Sequence, residues 1–371
     1  MQVLLYILAF IYFLLILLFF IGWIKNKTFV IDKNQNNNKI HCSIIIATRN
    51  EEKNILSVID NITKQTYRNF ELIIVDDNST DSTVKIAETR VEKNPQIKLL
   101  KLSNNESGKK SALKKGIEDA KGKLVITTDA DCSMNKKWLA TIVSFYEQHL
   151  PKMIISPVII DDEKNIFEKL QSLEFLSLIG SGAGAININH AIMCNGANLA
   201  FEKNIYLEFN NALNNKFASG DDVFLMLKTK KKYSKKIRFL KSQDATVYTK
   251  ASPDLKTFIN QRKRWTSKSR AYYDFDIIFT AIVVFLTNFS LLFTLIASIF
   301  NFQYFYYFII IFTVKSIIDF FFLLNISYFF NKIKLMIFFI PLQVLYFFYI
   351  SFVSIMGNIS KFEWKERKLK K

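Results

Sequence analysis

The stretch Leu124-Val125-Ile126-Thr127-Thr128-Asp129-Ala130-Asp131 decides how this chain is read. A short apolar, strand-forming run ends in two carboxylates spaced i, i+2, and in an extended strand such residues point to the same side. Asp129 and Asp131 therefore leave a strand tip together as two oxygen ligands. Two are too few to cage a divalent ion alone. Mg²⁺, however, is commonly held by one or two carboxylates plus the phosphates of a substrate. A solvated turn is the plain alternative for an isolated Asp-x-Asp.

This pair is not isolated. The pattern predicts a buried strand at Ser43–Ala47, a helix from Glu52 to Thr63, a strand at Glu71–Val75 and a helix over Asp81–Asn94. A strand at Ile97–Leu102, a helix at Lys109–Ala120, the strand Lys123–Thr128 and a further strand at Lys152–Ile160 follow. Strands alternating with helices indicate an α/β unit with a mainly parallel sheet covered on both faces. Ligands of such sheets bind beyond the carboxyl ends of the strands. The polar clusters fall at those ends: Thr48-Arg49-Asn50-Glu51-Glu52, Asp76-Asp77-Asn78-Ser79-Thr80-Asp81, Ser107-Gly108-Lys109-Lys110, and Asp129 with Asp131. Ser79 or Asp81 also suits a helix cap, but four such clusters on one edge exceed what capping requires.

The rest of the 371 residues is apolar at both ends. Val3 to Trp23 carries no charge, and Ile277 to Gly357 is dominated by Phe, Ile, Leu and Tyr. About 20 apolar residues span a bilayer, so these flanks read as membrane helices. A cleaved signal peptide has a shorter core and a small-residue cleavage site; here Lys25 and Lys27 follow directly, so an uncleaved anchor is expected. Positive charge after the first span places the middle segment in the cytoplasm. Ile277–Ile299, Tyr304–Asn325 and Leu335–Gly357 are the expected later spans, the last interrupted by Pro341. If all three cross, the basic tail Lys361–Lys371 lies outside, against the positive-inside rule. Either the last segment re-enters near Pro341 or the rule fails here. Lys315 and Asp319, four apart, are expected to pair on one helix face.

The net charge of +18 raises the question of nucleic acid. The basic residues cluster at 228–241 and at 262–270, just ahead of the apolar segments, where anionic headgroups are the usual partner. A solvated face serves equally for the first cluster, and nucleic acid is not expected. Cys42, Cys132 and Cys194 are odd in number and widely spaced, without a disulfide or zinc pattern; core packing in a reducing compartment is the reading.

Taken in order, Ser43-Ile-Ile-Ile-Ala-Thr-Arg-Asn-Glu-Glu, Val75-Asp-Asp-Asn-Ser-Thr-Asp, Gly108-Lys-Lys-Ser-Ala-Leu, Asp129-Ala-Asp, Asn195-Gly-Ala-Asn, Gly220-Asp-Asp and Gln261-Arg-Lys-Arg-Trp265 resemble glycosyltransferase family 2 over most of residues 40–270. The Gln-x-x-Arg-Trp element ahead of membrane helices is similar to the membrane-embedded branch of cellulose, chitin and hyaluronan synthases and ceramide glucosyltransferases. The resemblance implies a GT-A fold and a nucleotide-sugar donor, a UDP-sugar being expected. It implies a membrane helix at 1–25, a transferase domain at 40–272, a membrane region of about three apolar segments at 273–360 and a basic tail at 361–371. A bacterial cell membrane is the expected setting.

By resemblance, Asp77 meets the base or ribose, with Thr48, Asn50 and Glu51 lining the same pocket; a carboxylate suits ribose hydroxyls or an imide N–H. Lys109 neutralises diphosphate charge, with an exposed helical lysine as the alternative. Asp131 with Asp129 binds Mg²⁺ or Mn²⁺ on the diphosphate. Asn198 contacts substrate, while Gln261, Arg264 and Trp265 close over the donor from the membrane side, unless they are a juxtamembrane anchor. Asp222 is the general base, and Asp221 beside it replaces the family's usual Glu with a shorter side chain. The small, apolar Phe175–Ala185 run is either a glycine-rich packing turn or part of a passage for acceptor. The expected activity is inverting, metal-dependent transfer to a lipid or lipid-linked glycan, with processive polysaccharide synthesis as the alternative. A non-catalytic membrane scaffold is the reading from another class, and a nucleotidyltransferase would not call for Arg264-Trp265.

Overall fold

Apolar runs and polar strand ends become two units interleaved along the chain. The computed structural model describes residues 2–31, 39–209, 221–266, 272–359, 362–364 and 367–369. One unit comprises Asn26–Asp161 and Met193–Lys250; the other comprises Met1–Lys25, Asp162–Ile192 and Ala251–Lys371. In chain order the elements begin with α1 (Gln2–Lys25), β1 (Cys42–Thr48), α2 (Ile55–Thr63), β2 (Phe70–Asp76), α3 (Thr83–Val91), β3 (Ile97–Lys101), α4 (Lys109–Asp119) and β4 (Leu124–Asp129). Next come β5 (Ser133–Met134), α5 (Trp138–His149), β6 (Met153–Ile155), β7 (Val158–Ile160), α6 (Ile166–Asn187), β8 (Leu199–Glu202), α7 (Lys203–Glu208) and α8 (Asp221–Tyr233). The chain continues through β9 (Ile237–Phe239), β10 (Val247–Thr249), α9 (Leu255–Thr266), α10 (Phe275–Ala297), α11 (Gln303–Phe329) and α12 (Phe339–Ile359).

The first unit is built on a seven-stranded sheet of order β3-β2-β1-β4-β8-β6-β9. The strands β3, β2, β1 and β4 pair in parallel, and β8 runs antiparallel between β4 and β6. Strands covered on both faces read as continuous apolar runs, and Ile44, Ile45, Ile46, Leu72, Ile73 and Ile74 are all fully buried. The predicted strand Lys152–Ile160 is in fact two, placed in different sheets. Pro157 separates them: it has no N–H to donate, and its carbonyl accepts from Val247 N–H and from the Asn198 amide. The first helix starts at Ile55 rather than Glu52, because Asn50 takes a left-handed φ of 51° and the chain turns before the helix begins.

In the second unit α1, α10, α11 and the segment Ile333–Met356 are long and apolar enough to cross a membrane. The last of these begins as a 3-10 helix over Ile333–Phe338 and becomes α12 at Phe339, with Pro341 in the first turn of α12. The Phe175–Ala185 run is not a turn but lies in the C-terminal half of α6. Its glycines let helices touch: a Cβ on Gly184 would lie 2.1 Å from the Phe19 carbonyl oxygen of α1. Cys42 and Cys132 are buried as expected, whereas Cys194 is half-exposed.

Lys315 and Asp319 pair at 2.7 Å inside α11. The Lys315 ammonium also donates to Gln343 Oε1, the Gln343 amide donates to Asp319, and Tyr12 of α1 donates to Asp319 at 2.9 Å. Breaking one partner of a buried pair costs about 3–5 kcal/mol because the other charge is stranded. Lys315→Ala should therefore lower the unfolding temperature in detergent markedly, and adding Asp319→Leu should recover most of the loss. Equal unfolding temperatures for wild type and Lys315→Ala would refute this account of the cluster.

Candidate active site

Register brings the strand ends together. Thr48 lies opposite Asp76 across β1 and β2, and Ala47 lies opposite Asp129 across β1 and β4. Asp77 N–H donates to the Thr48 carbonyl at 2.8 Å, and both residues are buried. The Arg49 guanidinium donates to the carbonyls of Asp77 (2.6 Å) and Asn78 (3.0 Å). Asn50 accepts from Thr80 N–H through Oδ1, and its own N–H donates to Ser79 Oγ. Glu51 N–H donates to Thr83 Oγ1, and the Glu51 carboxylate accepts from the Asn54 amide. The loops after β1 and β2 are thus tied to each other. Of the adjacent aspartates, Asp76 spends its carboxylate on the N–H and hydroxyl of Ser79.

At the end of β4, Asp129 is ion-paired with Lys109. Gly108 takes a φ of 98°, in the region that favours glycine, and so starts α4 where Lys109 reaches the aspartate. Asp131 is exposed; partial desolvation of its carboxyl, reinforced by the charges of Asp129 and Glu51, holds its pKa above the usual carboxylate range, and Lys109 counters the effect. Among the described residues no group of three or more His, Cys, Asp or Glu side chains is gathered into a metal cage. The donor set is two carboxylates, all oxygen, which suits a hard divalent cation completed by substrate phosphate.

The second acidic element opens α8; Gly220 of the Gly-Asp-Asp sequence lies outside the described residues. Asp222 accepts from Gly196 N–H at 2.9 Å, and the Gly196 carbonyl accepts from Thr127 Oγ1 at 2.6 Å. Two hydrogen bonds therefore link Asp222 to β4, two residues before Asp129. Asp221 is buried, with the Lys110 ammonium 4.0 Å away. Burial lowers the pKa of Lys110, and Asp221 acts in the opposite sense. Burial likewise pushes the Cys42 and Cys132 thiols up, which keeps them protonated and unreactive.

Asn198 departs from the expected substrate contact. It is fully buried, its amide donating to the carbonyls of Pro157 (2.7 Å) and Ala245 (2.8 Å) while its oxygen accepts from Trp138 Nε1 (3.0 Å). All its strong bonds are made within the protein, beneath the turn that presents Gly196. Gln261, Arg264 and Trp265 lie on α9, which belongs to the helical unit. Two residues of the site, Arg49 and Lys110, were not singled out from the sequence, although both sit inside motifs already quoted.

Residues 43–206 match the sequence profile described as Glycosyl transferase family 2. A dolichyl-phosphate beta-glucosyltransferase of Dictyostelium discoideum is 37% identical over 110 residues, 27% of this chain and 33% of that protein. A poly-beta-1,6-N-acetyl-D-glucosamine synthase of Staphylococcus epidermidis is 28% identical over 176 residues, 44% of this chain and 42% of that protein. The chain spans between 19% and 42% of the length of the curated relatives it matches. Among solved structures, the mannosyltransferase PcManGT from Pyrobaculum calidifontis, in complex with GDP-Man and Mn2+, aligns with a TM-score of 0.57 at 15% identity. That alignment covers 96% of this chain and 98% of PcManGT, and the fold is GT-A-like.

Asn198→Ala strands a buried indole N–H and two carbonyls, each at a cost of about 1–3 kcal/mol. The variant should unfold at a clearly lower temperature, while nucleotide affinity of the folded fraction stays at the wild-type value. Unchanged stability together with lost nucleotide binding would instead make Asn198 a ligand contact.

Proposed function

We propose, on the premise that residues 43–206 form a glycosyl transferase family 2 domain, that this chain is an inverting, metal-dependent membrane glycosyltransferase. It takes a nucleotide-sugar, a UDP-sugar by preference, and transfers the sugar to a lipid or lipid-linked glycan. The observation that carries the reading is the link from Thr127 through Gly196 to Asp222, which ties a general-base candidate to the strand bearing Asp129. Thr48, Asn50, Glu51 and Asp77 form the nucleotide pocket. Asp129 and Asp131 hold a divalent cation, Mg²⁺ or Mn²⁺. When bound, it supplies Lewis-acid stabilisation of the leaving nucleoside diphosphate. Lys109, paired with Asp129, adds a cation beside the phosphates.

Asp222 takes the proton of the acceptor hydroxyl as that oxygen bonds to the anomeric carbon and the bond to the diphosphate breaks. Attack from the opposite face inverts the centre, so an α-linked donor yields a β-glycoside. Asp221 and Lys110 set the charge beside this base. For Gln261, Arg264 and Trp265 the proposal rests on residue type and spacing: arginine suits phosphate, and an indole face suits a sugar or base.

The setting is a bacterial cell membrane, with the sheet unit in the cytoplasm. Among the described residues four helices meet the length and hydropathy of a membrane span, few to enclose a polymer channel, and the Dictyostelium relative's name indicates a lipid-phosphate acceptor. Those two points favour single transfer. Processive synthesis is the second reading, supported by the name of the Staphylococcus epidermidis relative. Detection of a polymer rather than a singly glycosylated lipid would decide for it.

Purified protein offered a panel of nucleotide sugars should release UDP only with Mg²⁺ or Mn²⁺ present. Full release in excess chelator would overturn the metal assignment, and Asp131→Ala should weaken metal-supported donor binding. Removing a positioned base typically costs about 10²–10⁴-fold in rate. Asp222→Asn should lose that factor in transfer with donor affinity retained; wild-type transfer in Asp222→Asn and none in Asp221→Asn would transfer the role to Asp221.

A further inference from the structure

Two charged residues with no role assigned above lie deep in the helical unit, Glu174 and, inside the Gln261–Trp265 element, Arg262. Arg262 of α9 and Glu174 of α6 are each 4% exposed. The guanidinium meets the carboxylate through two nitrogens, Nη2 to Oε2 at 2.5 Å and Nε to Oε1 at 3.3 Å. Its remaining terminal nitrogen, Nη1, donates to Gln261 Oε1 at 2.5 Å. The guanidinium carbon lies 4.3 Å from the ring centre of Trp265 and 4.5 Å from that of Phe258, within cation–π range. Phe175, next to Glu174, approaches Trp265 with ring centres 6.2 Å apart, and Tyr349 of α12 donates to Glu174 at 3.5 Å.

Stability does not account for this arrangement. A buried ion pair is often matched or surpassed by apolar side chains of the same volume. What apolar side chains cannot reproduce is a planar fork that engages a carboxylate, an amide oxygen and an aromatic face together. Helical spacing puts Phe258, Arg262 and Trp265 on one stripe of α9, and Glu174 meets that stripe from α6.

We infer that Arg262, clamped by Glu174, is the positioning residue of the Gln261–Trp265 element: it fixes the Trp265 ring and the Gln261 amide, and acts on transfer through them. Its nitrogens and faces are engaged within the protein, so it is not itself a substrate contact. The inference rests on the transferase reading for its catalytic consequence, but not for the ordering of Trp265.

The test uses full-length protein in detergent labelled with 5-fluorotryptophan. The chain has four tryptophans, Trp23, Trp138, Trp265 and Trp364, and Trp265→Phe assigns the fluorine resonance of Trp265. Arg262→Lys keeps the charge and loses the fork; Glu174→Gln keeps the shape and loses the clamp. In both, the Trp265 resonance should shift or broaden while that of Trp138 stays in place. Misplacement by about 1 Å can cost 10²-fold, so kcat should fall by roughly that factor with donor KM little altered. The exchange Glu174→Arg with Arg262→Glu restores neutrality but not the stacked guanidinium. It should recover the unfolding temperature without recovering the Trp265 signal or kcat. An unchanged Trp265 resonance in Arg262→Lys, or full kcat in the exchanged protein, would overturn the inference. If wild-type protein transfers no sugar from any donor, the transferase reading fails, and the resonance still decides whether Arg262 orders Trp265.

Discussion

The parallel pairing of β1 with β2 on one side and β4 on the other is the constraint on which the sheet unit depends. It stops Thr48, Asp76 and Asp129 at nearly the same level. The strands of a buried parallel sheet are mostly apolar, with an occasional hydrogen-bonded group such as Thr127, so the polar clusters gather where the ladders end. The polar loops are confined there as a consequence. Once gathered they support one another: Arg49 and Asn50 from the first loop hold Asp77, Asn78 and Thr80 of the second. The nucleotide pocket is proposed at loops already rigid by their own hydrogen bonds, which is what orientation of a donor requires.

The antiparallel strand β8 extends this order to the second half of the unit. It pairs with β4 at Thr127–Leu199 and is preceded directly by the Gly196–Asn198 turn. Asn198 pins that turn from below, and Gly196 presents its N–H to Asp222 from above. Two neighbouring residues of one motif therefore do different work. One is spent on the interior, the other on the acidic pair.

The helical unit obeys a different rule. Apolar surface is abundant there, so orientation comes from close backbone approach and from a few buried charges. Gly22 and Gly184 allow α1 and α6 to touch, Lys315 and Asp319 join three helices through Tyr12 and Gln343, and Arg262 and Glu174 join α9 to α6. Each polar cluster is nearly saturated by its own partners, as a low-dielectric interior demands.

Local periodicity was enough to read β1 to β4, the helices between them, the apolar spans and the Lys315–Asp319 pair, because burial on both faces and spacing of four leave marks within a few residues. The division of Lys152–Ile160 was not legible: the run is apolar on both sides of Pro157, and only the sheet to which each half belongs separates them. The inward turn of Asn198 was hidden for a similar reason, since its partners Trp138, Pro157 and Ala245 are 41 to 60 residues away. Arg262 and Glu174 are 88 residues apart, and neither announces the other. The sequence by itself determined the parallel sheet, the edge where its polar loops gather and the long apolar helices, because these follow from the chemistry of neighbouring residues. Only the tertiary structure decided which polar side chains stay at the strand ends and which are consumed in the interior, because a buried hydrogen bond is settled by the partner that packing supplies.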